Sequence, residues 1–424
     1  MFLLALLALF ILLLMVGVPI GIGLGVTTAV IMALFTNFKL ILLAQNAVAG
    51  LDNFPLLALP FFVLLGNLMF HGGISRRLLD LAELIVGKII GGLGMVTTLA
   101  SMFFAAISGS GPATVSAIGT LIIPAMKQKG YDVNYAAAIT AAAGSIGVII
   151  PPSIPFVIYA VTTGCSISDL FLAGVFPGIL VGIVLMIANY ILAKKYGYKG
   201  TDSKNLNAGK VIRDSFWALA MPVIVLGGIY GGFVTPTEAA VVGCVYALGV
   251  GILVYREVGT KEIYWALKDT GIITGATVFT LAFSTTFATL ITMKQVPAMV
   301  AEYLNMISSS PIIILIIINL FLLGVGCFVD NISACIILSP ILLPIVVKLG
   351  VDPVHFGVIM TVNLAIGFCT PPYGINLFVA SAVADTTVVK ISRFIWPFLI
   401  AMLVALILIT YIPALSMGLP TALK

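Results

Sequence analysis

Two adjacent proline pairs interrupt long apolar stretches of this sequence, in GVIIPPSIPF (147–156) and in GFCTPPYGIN (367–376). Proline has no backbone N–H and clashes with the carbonyl group four residues before it, so each pair is expected to break a helix. Unwinding frees backbone carbonyl groups that can bind a bare cation, and the exposed N-termini of helices favour an anion. The alternative is a pair of proline kinks that only shape packing.

Each break is matched by a polar, glycine-bearing segment within another apolar run, AAISGSGPATVS (105–116) in one half and GVGCFVDNISAC (324–335) in the other. Carbonyl, hydroxyl and amide oxygens are the ligands that hard cations prefer. We therefore expect ligands for a sodium ion in these four segments. The candidates are Ser108, Ser110, Thr114, Gly144, Ser145, Gly147 and Ser153 in the first half, and Asp330, Asn331, Ser333, Asn363, Gly367, Thr370 and Asn376 in the second.

Two acidic residues allow two interpretations each. Asp330 lies within an apolar region, where an ionisable group is a functional candidate because its burial is costly. It could equally cap the helix that starts after it. Glu238, in FVTPTEAAVVG, follows a Thr-Pro-Thr helix start, and there capping is the favoured interpretation.

The composition predicts an all-α, polytopic membrane protein. Of 424 residues 61% are hydrophobic and only 8% are charged, whereas soluble domains carry about 25% charged residues. About ten or more apolar stretches could span a bilayer at roughly 20 residues each, and residues 1–26 are expected to form one retained transmembrane helix. Five cysteines and two histidines show no metal-ligand spacing. No phosphate-binding motif is present, so we expect neither ATP nor an organic cofactor, no transition metal and no nucleic acid.

The two halves are related by an internal repeat. Residues 109–177 align with 329–397 without a gap and share ten identities, six of which are glycine or proline. These residues dictate backbone shape, so the match indicates structural duplication. We expect each half to contain a re-entrant helical hairpin with a polar tip and one broken helix. Such paired, interrupted segments are typical of the binding site of secondary transporters.

The connection between the halves is the longest polar stretch, residues 194–214. It contains six Lys or Arg and two Asp residues, so the positive-inside rule predicts that it is cytoplasmic. The basic residues at 75–77, 127 and 129 are expected on the same side.

Four long motifs make the family recognisable: SGSGPATVSAIG, GVIIPPSIPFVIYAVTTGCSISDLFLAGVFPG, GGFVTPTEAAVV and IGFCTPPYGINLFVA. In this order they resemble the large membrane subunit of tripartite ATP-independent periplasmic (TRAP) transporters over nearly the whole chain. The resemblance implies an ion-transporter-superfamily elevator fold with inverted repeats. It also implies sodium-coupled import of an organic acid, such as a sialic acid or a C4-dicarboxylate, across the bacterial inner membrane. The implied partners are a soluble periplasmic binding protein and a small four-helix membrane subunit, expected here as a separate chain.

The resemblance also implies where ions and substrate bind. One sodium site would lie between the first tip and the first break, the other between the second tip and the second break, and the substrate between the tips. For the first sodium site the candidates are Ser108, Ser110, Gly111, Gly144, Gly147, Ile150 and Pro151. For the second they are Gly326, Asp330, Asn331, Gly367, Thr370 and Tyr373. For the substrate they are Ser110, Thr114, Ser153, Asn331, Ser333 and Asn376.

The expected division of the chain alternates scaffold and moving parts. It comprises scaffold helices of repeat 1 (1–88), a transport part with hairpin 1 and the first broken helix (89–178), scaffold helices with the inter-repeat loop (179–260), a transport part with hairpin 2 and the second broken helix (261–387), and a C-terminal scaffold helix (388–424). Three other functions stay open. They are a stand-alone sodium-coupled anion transporter, a channel built from re-entrant tips, and a scaffold without transport activity.

Overall fold

The structure is a computed structural model that describes residues 2–201, 207–308 and 310–423. All regular secondary structure in these ranges is helical. By length and composition, eight of the described helices could cross a membrane, fewer than the ten or more stretches predicted. The difference arises because glycine and proline cut several apolar stretches into helices of 10–17 residues. Residues 202–206 of the predicted cytoplasmic connection lie outside the described residues.

The first five helices come before the first hairpin. They are α1 (Phe2–Met15), α2 (Ile20–Phe35), α3 (Ile41–Leu51), α4 (Ala58–His71) and α5 (Ile74–Val86). The prediction of a single helix over residues 1–26 is wrong. Gly17 has a φ of +87° and Pro19 follows it, so α1 ends and the chain reverses. The rings of Phe2 and Phe35 then meet edge to face at 6.4 Å, which makes α1 and α2 antiparallel.

Two helical hairpins occupy corresponding places in the repeats. Hairpin 1 is α6 (Gly92–Ser108) and α7 (Gly111–Gln128), and its tip turns through Gly109 at a φ of +61°. Later in the chain, hairpin 2 is α15 (Pro311–Phe328) and α16 (Asn331–Lys348). Both tips fall within the polar segments that the sequence singled out. The observed features are the helix–turn–helix pairs, and their re-entry from one side of a membrane remains a prediction.

Each hairpin is followed by a helix that breaks at its proline pair. The first break separates α8 (Val133–Gly144) from α9 (Ile154–Thr163), with a 3₁₀ turn over Ser145–Val148 between them. The second separates α17 (Pro353–Gly367) from α18 (Ile375–Ala384). Asp132 and Asp352, which the repeat aligns, cap the two broken helices by accepting backbone N–H groups from Asn134 and Val354, both at 2.7 Å. The two halves therefore share local chemistry as well as topology.

The remaining helices complete each repeat. They are α10 (Ile167–Tyr196), α11 (Ala208–Tyr230), α12 (Pro236–Gly249), α13 (Thr260–Met293), α14 (Val296–Ile307), α19 (Val388–Tyr411) and α20 (Ala414–Ala422). At the start of α12, Glu238 forms a capping box with Thr235, as its sequence predicted. Helix α10 runs without interruption through residue 178, where the predicted boundary between moving and scaffold parts was placed.

We describe the helices as two groups, which are themselves packed against each other. One group, here called the hairpin group, contains both hairpins, both broken helices, α10, α19 and α20. The other, the flanking group, contains α1–α5 and α11–α14. The main core lies in the hairpin group, where α17 is buried at every residue from His355 to Gly367 and α8 from Tyr135 to Gly144. The long helix α13 of the flanking group packs against α16, and α5 packs against α6.

One end of the molecule gathers the basic connections. The Tyr131 hydroxyl donates to the carbonyl of Lys199 at 3.2 Å, and the Thr201 N–H donates to the carbonyl of Gly87 at 2.7 Å. At the same end Arg77 forms an ion pair with Glu257 at 2.7 Å. The segments whose positive charge predicts a cytoplasmic location therefore share one end of the structure, consistent with a single orientation in the bilayer.

Candidate ion and substrate sites

The tip of hairpin 1 is packed directly on the first break. The Ser108 and Thr114 hydroxyls lie 3.1 Å apart, and Thr114 donates to the carbonyl of Ser110 at 2.8 Å. Gly147 is so close that an added Cβ would lie 2.4 Å from Thr114 Oγ1 and 2.6 Å from the Ser110 carbonyl oxygen. Only glycine allows this approach, which places backbone carbonyl and hydroxyl oxygens of the tip at the break.

Asn376 crosses from the second half into this first site. It is fully buried, and its amide nitrogen donates to the Ala141 carbonyl at 3.2 Å and to the Ser145 hydroxyl at 3.3 Å. Among the residues that the structure describes, its Oδ1 has no hydrogen-bond partner. A Cβ on Gly111 would lie 3.3 Å from both Asn376 Oδ1 and the Gly144 carbonyl oxygen. An orphaned, buried amide oxygen beside a carbonyl oxygen suits a hard cation, because buried polar atoms otherwise find partners.

The other residues predicted for the first break have local roles. Ser153 is buried, donates to the Val148 carbonyl at 2.6 Å and accepts the Phe156 N–H at 3.4 Å, so it caps α9. Ile150 donates its N–H to the Ile146 carbonyl at 3.1 Å, and Pro151 follows it in the unwound segment. Their carbonyl groups remain candidates for ion binding.

The tip of hairpin 2 is packed on the second break through glycine. A Cβ on Gly367 would lie only 2.3 Å from the carbonyl carbon of Gly326, so the two backbones are in direct contact. The Thr370 hydroxyl donates to the Ile366 carbonyl at 2.8 Å. Tyr373 is 58% exposed and meets the Phe378 ring at 5.2 Å, at the outer side of the break.

The polar residues after this tip are mostly engaged within hairpin 2. Asp330 accepts the Ser333 N–H at 2.9 Å and so caps α16. Asn331 is buried, and its amide nitrogen lies 3.5 Å from the Thr361 carbonyl oxygen of α17. Ser333 is also buried. On α17 the Asn363 amide nitrogen donates to Asn319 Oδ1 of α15 at 2.7 Å, while Asn363 Oδ1 finds no hydrogen-bond partner within the described part of the chain.

A cavity of about 300 Å³ lies between the two tips and the flanking group. Hairpin 1 contributes Ser108, Ser110 and Ser116, hairpin 2 contributes Ile332, and the first break contributes Ile154. Of the residues predicted for the substrate, only Ser110 lines this cavity. The other predicted substrate residues do not line it and are buried in the surrounding structure: Thr114, Ser153, Asn331, Ser333 and Asn376.

Two polar residues that line this cavity were not predicted from the sequence. They are Asn67 of α4 and Asp269 of α13, on the wall that the flanking group provides. The Asn67 amide donates to the Thr270 hydroxyl at 3.0 Å, and Asp269 Oδ2 lies 3.6 Å from His71 Nε2. The available signal was an acid at the start of a long apolar run, which is also typical of an ordinary helix end. The described residues contain no group of three or more His, Cys, Asp and Glu side chains that could hold a metal.

Residues 7–415 match the family described as the tripartite ATP-independent periplasmic transporter, DctM component. The chain belongs to this family. It is a large TRAP transporter subunit, a multi-pass protein of the bacterial inner membrane and not an enzyme.

Individual TRAP relatives differ in what their names say they carry. The isethionate TRAP transporter permease protein DctMQ of Oleidesulfovibrio alaskensis is 48% identical over 88% of this chain. The chain spans 59% of that relative's length. The C4-dicarboxylate TRAP transporter large permease protein DctM of Pseudomonas aeruginosa is 43% identical over 87% of each chain.

The fold also resembles that of a solved transporter. The crystal structure of the Alcanivorax borkumensis YdaH transporter, described as having an unusual topology, superposes with a TM-score of 0.65 over 91% of each chain. The sequences are only 14% identical, so the likeness concerns the fold alone.

Proposed function

We propose that this TRAP subunit imports a small organic acid together with sodium ions, by movement of the hairpin group relative to the flanking group. The acid would be delivered by a periplasmic binding protein, and a small membrane subunit would complete the complex. The single observation that carries the proposal is the cavity between the two tips, each of which is packed on a helix break.

Sodium coupling is supported by the oxygen atoms at the breaks. Asn376 Oδ1 and Asn363 Oδ1 are buried and have no hydrogen-bond partner in the described ranges, and both belong to the segments where the chain unwinds or where its tips dock. An ion that binds at a break can order the adjacent tip, since the tip and the break supply ligands together. The filled site then favours an anion in the neighbouring cavity by charge. Binding favours the moving state only through a difference in affinity between states.

An elevator-type movement is supported by clefts between the groups. A cleft of about 480 Å³ separates α13, through Thr285 and Thr289, from α9 and α16. A second cleft of about 430 Å³ lies between the start of α12 and the junction of α9 and α10, where Cys165 lines it. Clefts at this boundary leave room for one group to shift against the other, whereas the buried helices α8 and α17 hold the hairpin group together.

The test is uptake into proteoliposomes that contain this chain and its small membrane subunit. Radiolabelled isethionate, succinate and sialic acid are offered with and without an inward sodium gradient, each with its binding protein present or omitted. The proposal requires uptake of at least one acid that depends on both the gradient and the binding protein. Uptake without the binding protein would instead indicate a stand-alone transporter. Conductance that is independent of sodium would indicate a channel.

A further inference from the structure

We infer that the cavity accepts small acids with a single anionic group, and that Asp269 excludes substrates with a second one. This inference rests on the proposed function, because it assigns the cavity between the tips to the substrate. It selects between two of the kinds of anion that the names of the relatives offer, a hydroxyalkyl sulfonate and a dicarboxylate.

The first step is the charge of the cavity wall. Among the described residues that line the cavity, Asp269 is the only ionisable side chain, and no Lys or Arg is present to pair with a second anionic group. The neighbouring Lys268 points its ammonium group over the Trp265 ring, 4.5 Å from the ring centroid. The group facing Asp269 is the imidazole of His71 at 3.6 Å. The flanking wall thus presents a carboxylate to the substrate.

The second step is the position of the hydrogen-bond donors. Hairpin 1 lines the cavity with Ser108, Ser110 and Ser116, of which the Ser108 hydroxyl is already paired with Thr114, and the described residues provide no side-chain cap for the N-terminus of α7. The corresponding N-terminus of α16 already has the carboxylate of Asp330 bound to it. One anionic group can therefore bind on the hairpin 1 side, while an acid occupies the same place on the hairpin 2 side.

The third step is size. A volume of about 300 Å³ is at the lower end of the range for ligand cavities, which runs to about 1,000 Å³. A second carboxylate in so small a space would lie close to Asp269. The Asp269 side chain is 44% exposed, so its charge is partly screened, but a second carboxylate at close range would still be repelled, and specificity often depends on such a repulsive element. A neutral hydroxyl or methylene end would instead pack against Ile272, Ile273 and Asn67.

The experiment measures ligand-induced thermal stabilisation of the purified complex of this chain with its small subunit, in saturating sodium and without binding protein. Isethionate and glycolate are the monoanionic probes, and succinate and malate are the dianionic ones. We expect wild-type protein to be stabilised by a monoanion at concentrations about tenfold lower than by any dianion. We expect Asp269→Asn to reduce that ratio to about one by improving dianion binding.

Two further variants separate the charge of Asp269 from general effects. Asp52→Asn removes an acid of the flanking group that does not line the cavity, and it should keep the wild-type ratio. His71→Gln removes the imidazole but keeps the carboxylate, and it should still exclude dianions. A dianion that binds wild-type protein as well as a monoanion, or an unchanged ratio in Asp269→Asn, overturns the inference. Stabilisation by succinate at the concentration that suffices for a monoanion would do so while leaving the proposed function intact. If none of the acids stabilises the complex in sodium, the assignment of this cavity to the substrate fails as well, whereas the proposed function is decided separately by the uptake experiment.

Discussion

At the scale of single residues, Asp330 is an observed helix cap and a proposed sodium ligand. Its carboxylate accepts the Ser333 N–H at 2.9 Å, which satisfies the start of α16. It is also partly exposed, at a tip that faces a break in the neighbouring helix. The cap explains why an acid is tolerated there, but a serine or threonine could cap the helix equally well. The negative charge therefore needs a second explanation, and the proposed sodium site provides one.

Two substitutions separate these roles. Asp330→Ala removes the cap and the charge, whereas Asp330→Ser keeps a capping oxygen and removes only the charge. We expect both variants to raise the sodium concentration for half-maximal uptake by roughly tenfold, because each loses the electrostatic attraction for the ion. The measurement is the sodium dependence of uptake in proteoliposomes.

The control for this prediction is Asp352→Ala, which removes the cap of α17 away from the tips. The loss of a cap costs about 0.5–2 kcal/mol of stability, so this variant should unfold at a lower temperature with an unchanged sodium dependence. If Asp330→Ser keeps the wild-type sodium dependence, Asp330 acts only as a helix cap and not in sodium binding.

The sequence predicted the positions of the tips and breaks better than the hydrogen-bonding roles of individual side chains. The structure does bring Ser108, Ser110 and Thr114 together at the tip of hairpin 1. They are close in sequence and flank the turn between α6 and α7, so a tight turn is enough to make them neighbours. Ser153 and Thr370 are bonded to their own backbone, as hydroxyl groups in membrane helices commonly are. Asn67 and Asp269 were missed because they reach the cavity from a different part of the chain, through packing that no local pattern encodes.

At the scale of elements, the contact between Gly326 and Gly367 holds hairpin 2 on its broken helix. Two backbones approach within a distance that excludes any side chain, so the register of α15 against α17 depends on both glycines. The hydrogen bond from Asn363 to Asn319 lies on the same pair of helices and supports the same register. The two features together place the second tip at the second break.

Gly367→Ala should therefore displace hairpin 2. The added Cβ would overlap the Gly326 backbone, and overpacking of this kind costs about 1–3 kcal/mol. We expect a lower unfolding temperature, and a fall in uptake that is larger at limiting sodium than at saturating sodium. Thermal unfolding of the purified complex and uptake at two sodium concentrations provide the readouts.

The chain supplies a matched control on α15. At Gly324 a Cβ would meet nothing within 4 Å, so Gly324→Ala should fold and transport as the wild type does. Equal losses in the two variants would mean that α15 is sensitive to alanine in general and that the glycine contact has no special part.

Element boundaries were predictable where proline and glycine define them. The two breaks and the two tips lie within the segments identified from the sequence, because these residues constrain the backbone whatever surrounds it. The division of residues 1–26 into α1 and α2 was not foreseen. Its signal, Gly-Val-Pro at 17–19, was present, but an uninterrupted apolar composition on both sides favoured one long helix.

At the scale of the whole molecule, the boundary between the two groups is where movement would occur. Phe54 precedes α4 in the flanking group and Cys165 follows α9 in the hairpin group, and both line the same cleft of about 430 Å³. Both are at least partly exposed, so a cross-linker can reach them. A covalent bridge at this place would join the two groups without touching the tips.

A reducible bis-thiosulfonate cross-linker tests this directly. In a background that keeps Cys165 and replaces the other four cysteines, Phe54→Cys should cross-link and lose most of its uptake, because the groups can no longer slide. Reduction should restore transport. A control pair within the flanking group, Trp217→Cys with Tyr246→Cys in a cysteine-free chain, spans the contact between α11 and α12. That bridge should leave uptake unchanged, and undiminished uptake in the cross-linked Phe54→Cys protein would contradict the sliding movement.

Asn376 has a consequence for how ions would bind. It belongs to the helix after the second break, yet its amide nitrogen is hydrogen-bonded at the first break and faces Gly144, while its Oδ1 lies beside Gly111. Ordering of either break therefore restrains the other through one rigid side chain. If sodium occupies both sites, filling one raises the affinity of the other by the same factor in either direction. Sodium activation of uptake would then be sigmoidal, and Asn376→Ala would lower its Hill coefficient toward one.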